Sequence, residues 1–219
     1  MKPKTFLYFI FAVAVFLFSF HTAKCQDWKL VKDKDGIKAY TCEFEDSDIK
    51  QVKVETNFKS SLSAAINVFK NADTHTNWMY RCFKAKTIKT ISNTEYYYYS
   101  ESKAPWPISN RDAITHAVIK QDSISKSVRI ISTGKPDYLK ERDGIVRIRD
   151  LHSKWEFTPK ENGTIDLTFY MWVDLGGGIP AWIMNLVITD GPFETAQKFI
   201  KEVQKEEHRN IKLNYIEEL

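Results

Sequence analysis

Five histidines, three cysteines and 28 acidic residues are the groups with which this chain could do covalent or metal chemistry. Their spacing decides how far each gets. Asp112 and His116 lie four apart on one strand, which separates them by about 13 Å, too far for a hydrogen-bonded acid–base dyad. Asp150 and His152 share a strand face, but no third residue stands at metal-ligand spacing. His75, followed by Thr76, Asn77 and Trp78, reads as a capping region at a helix end. Gly176, Gly177 and Gly178 follow a strand and precede a helix, yet lack the Gly-x-Gly-x-x-Gly spacing that cradles a phosphate. There is no Gly-x-Ser-x-Gly elbow and no cysteine pair at zinc spacing. Neither catalysis nor a cofactor nor a metal is expected.

The chemistry that remains is non-covalent. Tyr96, Tyr97, Tyr98 and Tyr99 put phenols on both faces of one strand. Parity turns Tyr96 and Tyr98 inward, where a phenol meets the hydroxyl or head group of a bound molecule; an aromatic strand packed on both sides is the plainer alternative. On the strand that begins at Arg111, the odd positions Ala113, Thr115 and Ala117 are small, while Ile114, His116 and Val118 are larger. Small side chains on a concave face leave volume. Opposite them the pattern sets Phe169, Met171 and Val173 from the last strand and Ile183, Met184 and Val187 from the helix after it. Trp155 and Phe157 complete the set from a neighbouring strand. These are flexible or smooth hydrophobes that suit an acyl chain or a sterol ring, and a packed core is the competing use of every one of them. Trp106, flanked by Pro105 and Pro107 and followed by Ile108, sits on a long loop between strands. An indole exposed there touches a membrane surface; a buried one plugs the end of a sheet.

The elements that must position these groups follow from periodicity. Trp28 to Phe58 reads as two strands joined by the acidic turn Glu45 to Asp48. Ser60 and Ser61 offer caps to a helix carrying Leu62, Ala65, Ile66 and Phe69. From Phe83 to Leu175 strand follows strand, with breaks at 92–93, 105–110, 122–126, 134–144 and the Asn162-Gly163 turn. After the three glycines, Pro180 opens a long closing helix through Val203, bent at Gly191-Pro192. A long antiparallel sheet with one apolar face has only that helix as a large partner, so the fold class is α+β, a curved antiparallel sheet wrapped around a C-terminal helix. One rod does not fill a concave face, and the hollow left over is a natural apolar ligand site.

The first 25 residues stand apart. Lys2 and Lys4 precede an uncharged run from Phe6 to Phe20, shorter than the ~20 residues of a membrane-crossing helix. This is the pattern of a secretory signal peptide, with the cut after Cys25, leaving 26–219 as a single domain. Losing Lys2, Lys4 and Lys24 takes the 32 basic residues to 29 against 28 acids, a formal charge of +1. That offers nothing to nucleic acid. Cys42 and Cys82 remain, either as a disulfide in an oxidising compartment or as two small buried hydrophobes. With 43% hydrophobic residues and few glycines and prolines, the chain is neither disordered nor fibrous.

Four local patterns, in order, resemble a START domain, the lipid-transfer family named after the steroidogenic acute regulatory protein. They are Trp28 with 35–40 (Asp-Gly-Ile-Lys-Ala-Tyr), 105–112 (Pro-Trp-Pro-Ile-Ser-Asn-Arg-Asp), Val146-Arg147 with 155–159 (Trp-Glu-Phe-Thr-Pro), and 174–185, which leads into the last helix. The resemblance implies a helix-grip fold and one lipid or sterol enclosed without covalent chemistry; a monomer with a transient membrane contact is expected, and the signal peptide sends it to a periplasm or outside the cell. The loop bearing Trp106 and Ile108 and the start of the last helix would form the lid. Some members of the family carry an inward arginine six positions beyond the Arg of the Arg-Asp pair, matched by an acid on the preceding strand. Here Ala117 and Tyr98 are expected in those places, which favours a weakly polar lipid. Arg111 and Asp112 read as fixing the neighbouring loop. The competing reading is an enzyme of the wider helix-grip superfamily, a cyclase or hydrolase, which needs His116 or Tyr98 to meet an acid inside the hollow.

Overall fold

The computed structural model describes Cys25, residues 27–44 and residues 47–219; the apolar leader expected to be a signal peptide lies outside them. Ten strands form one sheet in the order β1-β2-β3-β10-β9-β7-β6-β5-β4, antiparallel except for β8, which runs parallel to β6.

The opening segment holds three strands rather than two: β1 (Lys29–Lys34), β2 (Ile37–Phe44) and β3 (Ser47–Lys59). Asp35 and Gly36 break the first of them, with φ of 54° and 74°. Two successive positive φ values match the right-handed twist of the flanking strands, and Asp-Gly supplies them at small steric cost.

Ser61 caps α1 (Leu62–Lys70), its hydroxyl accepting from the Ala64 N–H at 3.2 Å. A 3₁₀ turn and the short α2 (His75–Trp78) lead to the meander β4 (Cys82–Ser92), β5 (Glu95–Ser102), β6 (Arg111–Gln121) and β7 (Val128–Gly134). Then come β8 (Val146–Arg147), β9 (Asp150–Pro159) and β10 (Thr164–Asp174).

The closing helix is broken earlier than the sequence pattern predicts, into α3 (Ala181–Val187) and α4 (Asp190–Val203). Pro192 has no N–H to return to the carbonyl of Ile188, so the interruption falls at Ile188-Thr189, one turn before the proline. The helix also ends at Val203, where its apolar stripe ends, and the chain continues as a strap. Leu213, Tyr215 and Ile216 pack against the core. Glu218 accepts from the N–H groups of Leu62 and Ser63 at 2.8 Å each, so the start of α1 is capped by a carboxylate some 155 positions downstream. Gln121 exchanges two hydrogen bonds with the backbone of Glu217.

The cysteines pair differently from either expectation. Cys25 is bonded to Cys42 with Cα atoms 6.0 Å apart, within the usual span of a disulfide, and Cys82 is free and buried. A chain that holds this bond retains Cys25, which a cut after that residue removes.

Candidate functional site

The concave face is built in rows that the strand register defines. Tyr98 faces Thr115 and Tyr96 faces Ala117 across β5 and β6; Ala117 faces Ser132, Ser132 faces Ser153, and Ser153 faces Met171 across the next strands. One row further along, Ile119, Ile130, Trp155, Phe169 and Val54 stand side by side. The odd positions of β6 do point inward, as their small size suggests. The register corrects one placement: Ala117 is matched by Tyr96, with Tyr98 one step nearer the Arg111 end.

The two ends of this face are filled differently. At the end away from Arg111, Phe199 of α4 meets Trp155, Phe157, Trp78, Phe69 and Phe58 with ring centroids 5.0 to 6.5 Å apart, and Trp155 stacks on Phe169 at 4.1 Å. Trp155, Phe157 and Phe169 are therefore built into an aromatic core. At the Arg111 end the sheet offers Ala113, Thr115, Ser132, Ser153, Met171 and Val173, and α3 presses only Met184 into place. Met171, Ser153 and Leu151 keep part of their surface accessible although Phe169, Val173 and Trp155 on the same face are buried. That end is lined by small side chains where its neighbour is filled by aromatic rings.

Ile183 and Val187, expected opposite the small residues, are instead exposed, together with Trp182 (67% accessible) and Leu186 (73%). The cause is a side-chain amide. Asn185 accepts from the Lys50 N–H at 3.0 Å and donates to the Asp48 carbonyl at 2.8 Å. It pairs there with the stretch of β3 beyond Val52, where the pairing of β3 with β10 has ended. This fixes Met184 inward and leaves one apolar flank of α3 facing solvent.

Beside it lies the 105–110 loop. Trp106 is 93% accessible, so it plugs nothing, and Ile108 is half-buried. Arg111 joins the loop to the glycine run: its guanidinium donates to the carbonyls of Ser109, Leu175 and Gly176. Gly177 has φ of 70°, and a Cβ there would stand 3.0 Å from the Arg111 guanidinium, so the hinge needs glycine on both counts. On the outer face, Asp112 takes two hydrogen bonds from Arg147, at 2.6 and 3.0 Å, and one from the Tyr99 hydroxyl at 3.1 Å. The Arg-Asp pair thus anchors backbone and loops, as its position at a strand start suggests.

Among the described residues no histidine meets an acid inside the cup. His116 meets Glu95 at 2.9 Å on the outer face, where its ring stacks on Tyr97. His152 meets Asp150 at the surface. Among the described residues Glu202, Glu207 and His208 come close enough to share a metal. Glu202, however, already accepts from Asn77 at 3.0 Å and from Lys205 at 2.7 Å, which occupies both its oxygens. Burial holds the Tyr98 phenol up at about 12 and the His75 imidazole down at about 4. Both are neutral near pH 7. Two clefts of about 220 and 360 Å³ lie elsewhere, under and beside the 139–149 segment, and are lined largely by charged side chains.

A curved sheet gripping a terminal helix defines a helix-grip protein. The family model of the START domain matches residues 13–209, and the chain belongs to that family. A solved STAR-related lipid transfer protein from Xanthomonas axonopodis is 30% identical, with a TM-score of 0.76 over 81% of this chain and 99% of that one. The human StAR-related lipid transfer protein 5 shares the fold at 15% identity, with a TM-score of 0.70 over 81% of this chain and 86% of that one. In sequence, the human phosphatidylcholine transfer protein is 24% identical over 75% of this chain and 78% of its own length.

The aromatic packing of the far end, the strap and the tethering Asn185 were not legible as such. The signal for the last was an isolated polar residue in an otherwise apolar segment, Ala181 to Ile188.

Proposed function

We propose that this protein encloses one lipid or sterol in the Arg111 end of the cup and carries it between membranes without chemical change. The observation that carries this reading is the contrast in filling: an apolar face closed by aromatic rings at one end and lined by small side chains beneath a single methionine at the other. The named relatives, lipid transfer proteins, support it. Retention comes from burial, about 0.8 kcal/mol for each CH₂ removed from water. Of the residues singled out from sequence, we assign Tyr96, Tyr98, Ala113, Thr115, Ala117, Met171 and Met184 to the lining. Ile183 and Val187 join it when α3 rotates inward over a ligand. The 105–110 loop and α3 form the lid, and Trp106, Trp182 and Leu186 touch the membrane during exchange.

In the same reading the chain is exported, and the Cys25–Cys42 bond fits an oxidising compartment. Processing then falls before Cys25, and the mature protein acts as a monomer. An enzymatic role in a cyclase or hydrolase class is disfavoured, because the acids that meet His116 and His152 lie outside the cup.

The test is native mass spectrometry of the exported, processed protein after incubation with phosphatidylcholine vesicles carrying mixed neutral lipids. One lipid per chain, released unchanged to acceptor vesicles, is expected. A protein that takes up no lipid, or returns a chemically altered one, overturns the reading.

A further inference from the structure

Four strands adjacent in the sheet set hydroxyls side by side on the concave face: Tyr98 on β5, with Tyr96 and Ser100 flanking it, Thr115 on β6, Ser132 on β7 and Ser153 on β9. The register makes them a continuous track. Tyr98 stands directly opposite Thr115, Thr115 is diagonal to Ser132 through the pair Ala117 and Ser132, and Ser132 stands directly opposite Ser153. Their neighbours Ala113, Ala117, Ile119, Ile130, Leu151 and Trp155 form an apolar surround, and the Tyr96 hydroxyl beside them donates to the Phe69 carbonyl at 3.4 Å. The charge at an inward position of these strands is Arg111, at the start of β6, and its guanidinium is engaged by the carbonyls of Ser109, Leu175 and Gly176.

A packed core has no use for such a track. Ser132 is 1% accessible; its hydroxyl lies near enough to the Tyr98 phenol to offset part of the cost of burying it, but no partner stands at full hydrogen-bond geometry. A buried hydroxyl without a partner costs free energy that alanine at the same position would not. A second unpartnered atom lies close by. The His75 ring packs edge-on against the Tyr98 ring, centroids 4.9 Å apart, and its Nε2 is 2.8 Å from the Phe69 carbonyl. A carbonyl only accepts, so Nε2 carries the proton and the buried Nδ1 is a bare acceptor without a partner. At the other end of the track Ser153 is still reached by solvent, so the row runs from the buried wall to an accessible edge.

We propose that Tyr98, Thr115, Ser132 and Ser153 form a subsite for the uncharged, hydroxyl-bearing end of the enclosed lipid, with Ser132 as its centre. This rests on the carrier reading and narrows it. The track gives and accepts neutral hydrogen bonds and supplies no counter-charge, so it selects an alcohol over a phosphorylated or zwitterionic head group. A sterol hydroxyl and the free hydroxyl of a diacylglycerol share that chemistry.

The experiment pairs each alcohol with an analogue that lacks it. Phosphatidylcholine vesicles are loaded with cholesterol and 3-deoxycholesterol in one arm, and with dioleoylglycerol and its 3-O-methyl ether in the other. Protein-bound lipid is then identified by native mass spectrometry. The protein should favour the alcohol about tenfold in at least one arm, the arm naming the lipid class. Ser132→Ala should remove most of that preference, so that alcohol and analogue are taken up alike. Because Ser132 makes no full hydrogen bond in the protein without ligand, this variant should melt within about a degree or two of the parent, which separates lost selectivity from lost folding; Thr115→Val is the second variant. Equal uptake of alcohol and analogue in both arms, phosphatidylcholine as the bound species, or a preference untouched by both variants overturns the subsite and leaves the carrier standing. No bound lipid in either arm overturns both.

Discussion

Trp155 and Ser153 are two residues apart on β9 and point to the same side of the sheet, yet they inhabit different solvents. Trp155 is ringed by Phe69, Phe169 and Phe199. Ser153 lies between Ser132 and Met171 and is still reached by water. The sheet is the same; what differs is the element laid over it. The first half of the broken helix contributes one buried methionine, while the second brings Phe193, Ala196, Phe199 and Val203. Core and cup are thus decided by which half of one helix covers a given row.

Exchanging large for small residues should break this contrast most visibly. Phe199→Ala should cost about 3–5 kcal/mol of unfolding free energy in urea, because five rings lose a common neighbour. Met184→Ala at the other end should cost under half as much. Equal losses would mean that both ends are packed core.

Acid probes the same boundary. His75 is almost wholly buried and held at about 4, below its unfolded value of 6.5. A depressed folded pKa means that the unfolded chain binds the extra proton, so stability present above pH 6.5 is lost as pH falls towards 4. The loss from this group is on the order of 3 kcal/mol. Denaturation midpoints measured between pH 7 and 4.5 should show this slope, and His75→Gln should flatten it.

Filling the cup should separate binding from stability. Ala113→Phe should abolish lipid uptake at a stability cost of about 1–3 kcal/mol or less. Uptake that survives would place the ligand elsewhere. The smallest effect belongs to the exposed flank: Leu186→Glu should leave stability within about 0.5 kcal/mol and slow transfer between vesicles. An unchanged transfer rate would remove α3 from the membrane contact.

Much of the architecture is written in local pattern. Ser61 starts α1, Asn162-Gly163 turns β9 into β10, and alternation on β6 gives the inward set correctly. What is not written locally depends on partners far along the chain. Nothing near Glu218 says that its carboxylate will cap Leu62, and nothing near Cys25 names Cys42. The same holds for the cup, since small residues on β6 mark a hollow only when the opposite element fails to fill it. Asp35-Gly36 is the exception, a plain turn signal inside a segment that reads as one strand.

The Glu218 cap has a kinetic corollary. Two N–H groups at the start of α1 have no partner until the chain has been made almost to that carboxylate, and β3 likewise waits for β10 to arrive from more than a hundred residues away. Sequence-distant closures of this kind make folding slow. An emerging chain therefore stays open along most of its length, so that completing synthesis and completing the fold are nearly the same event.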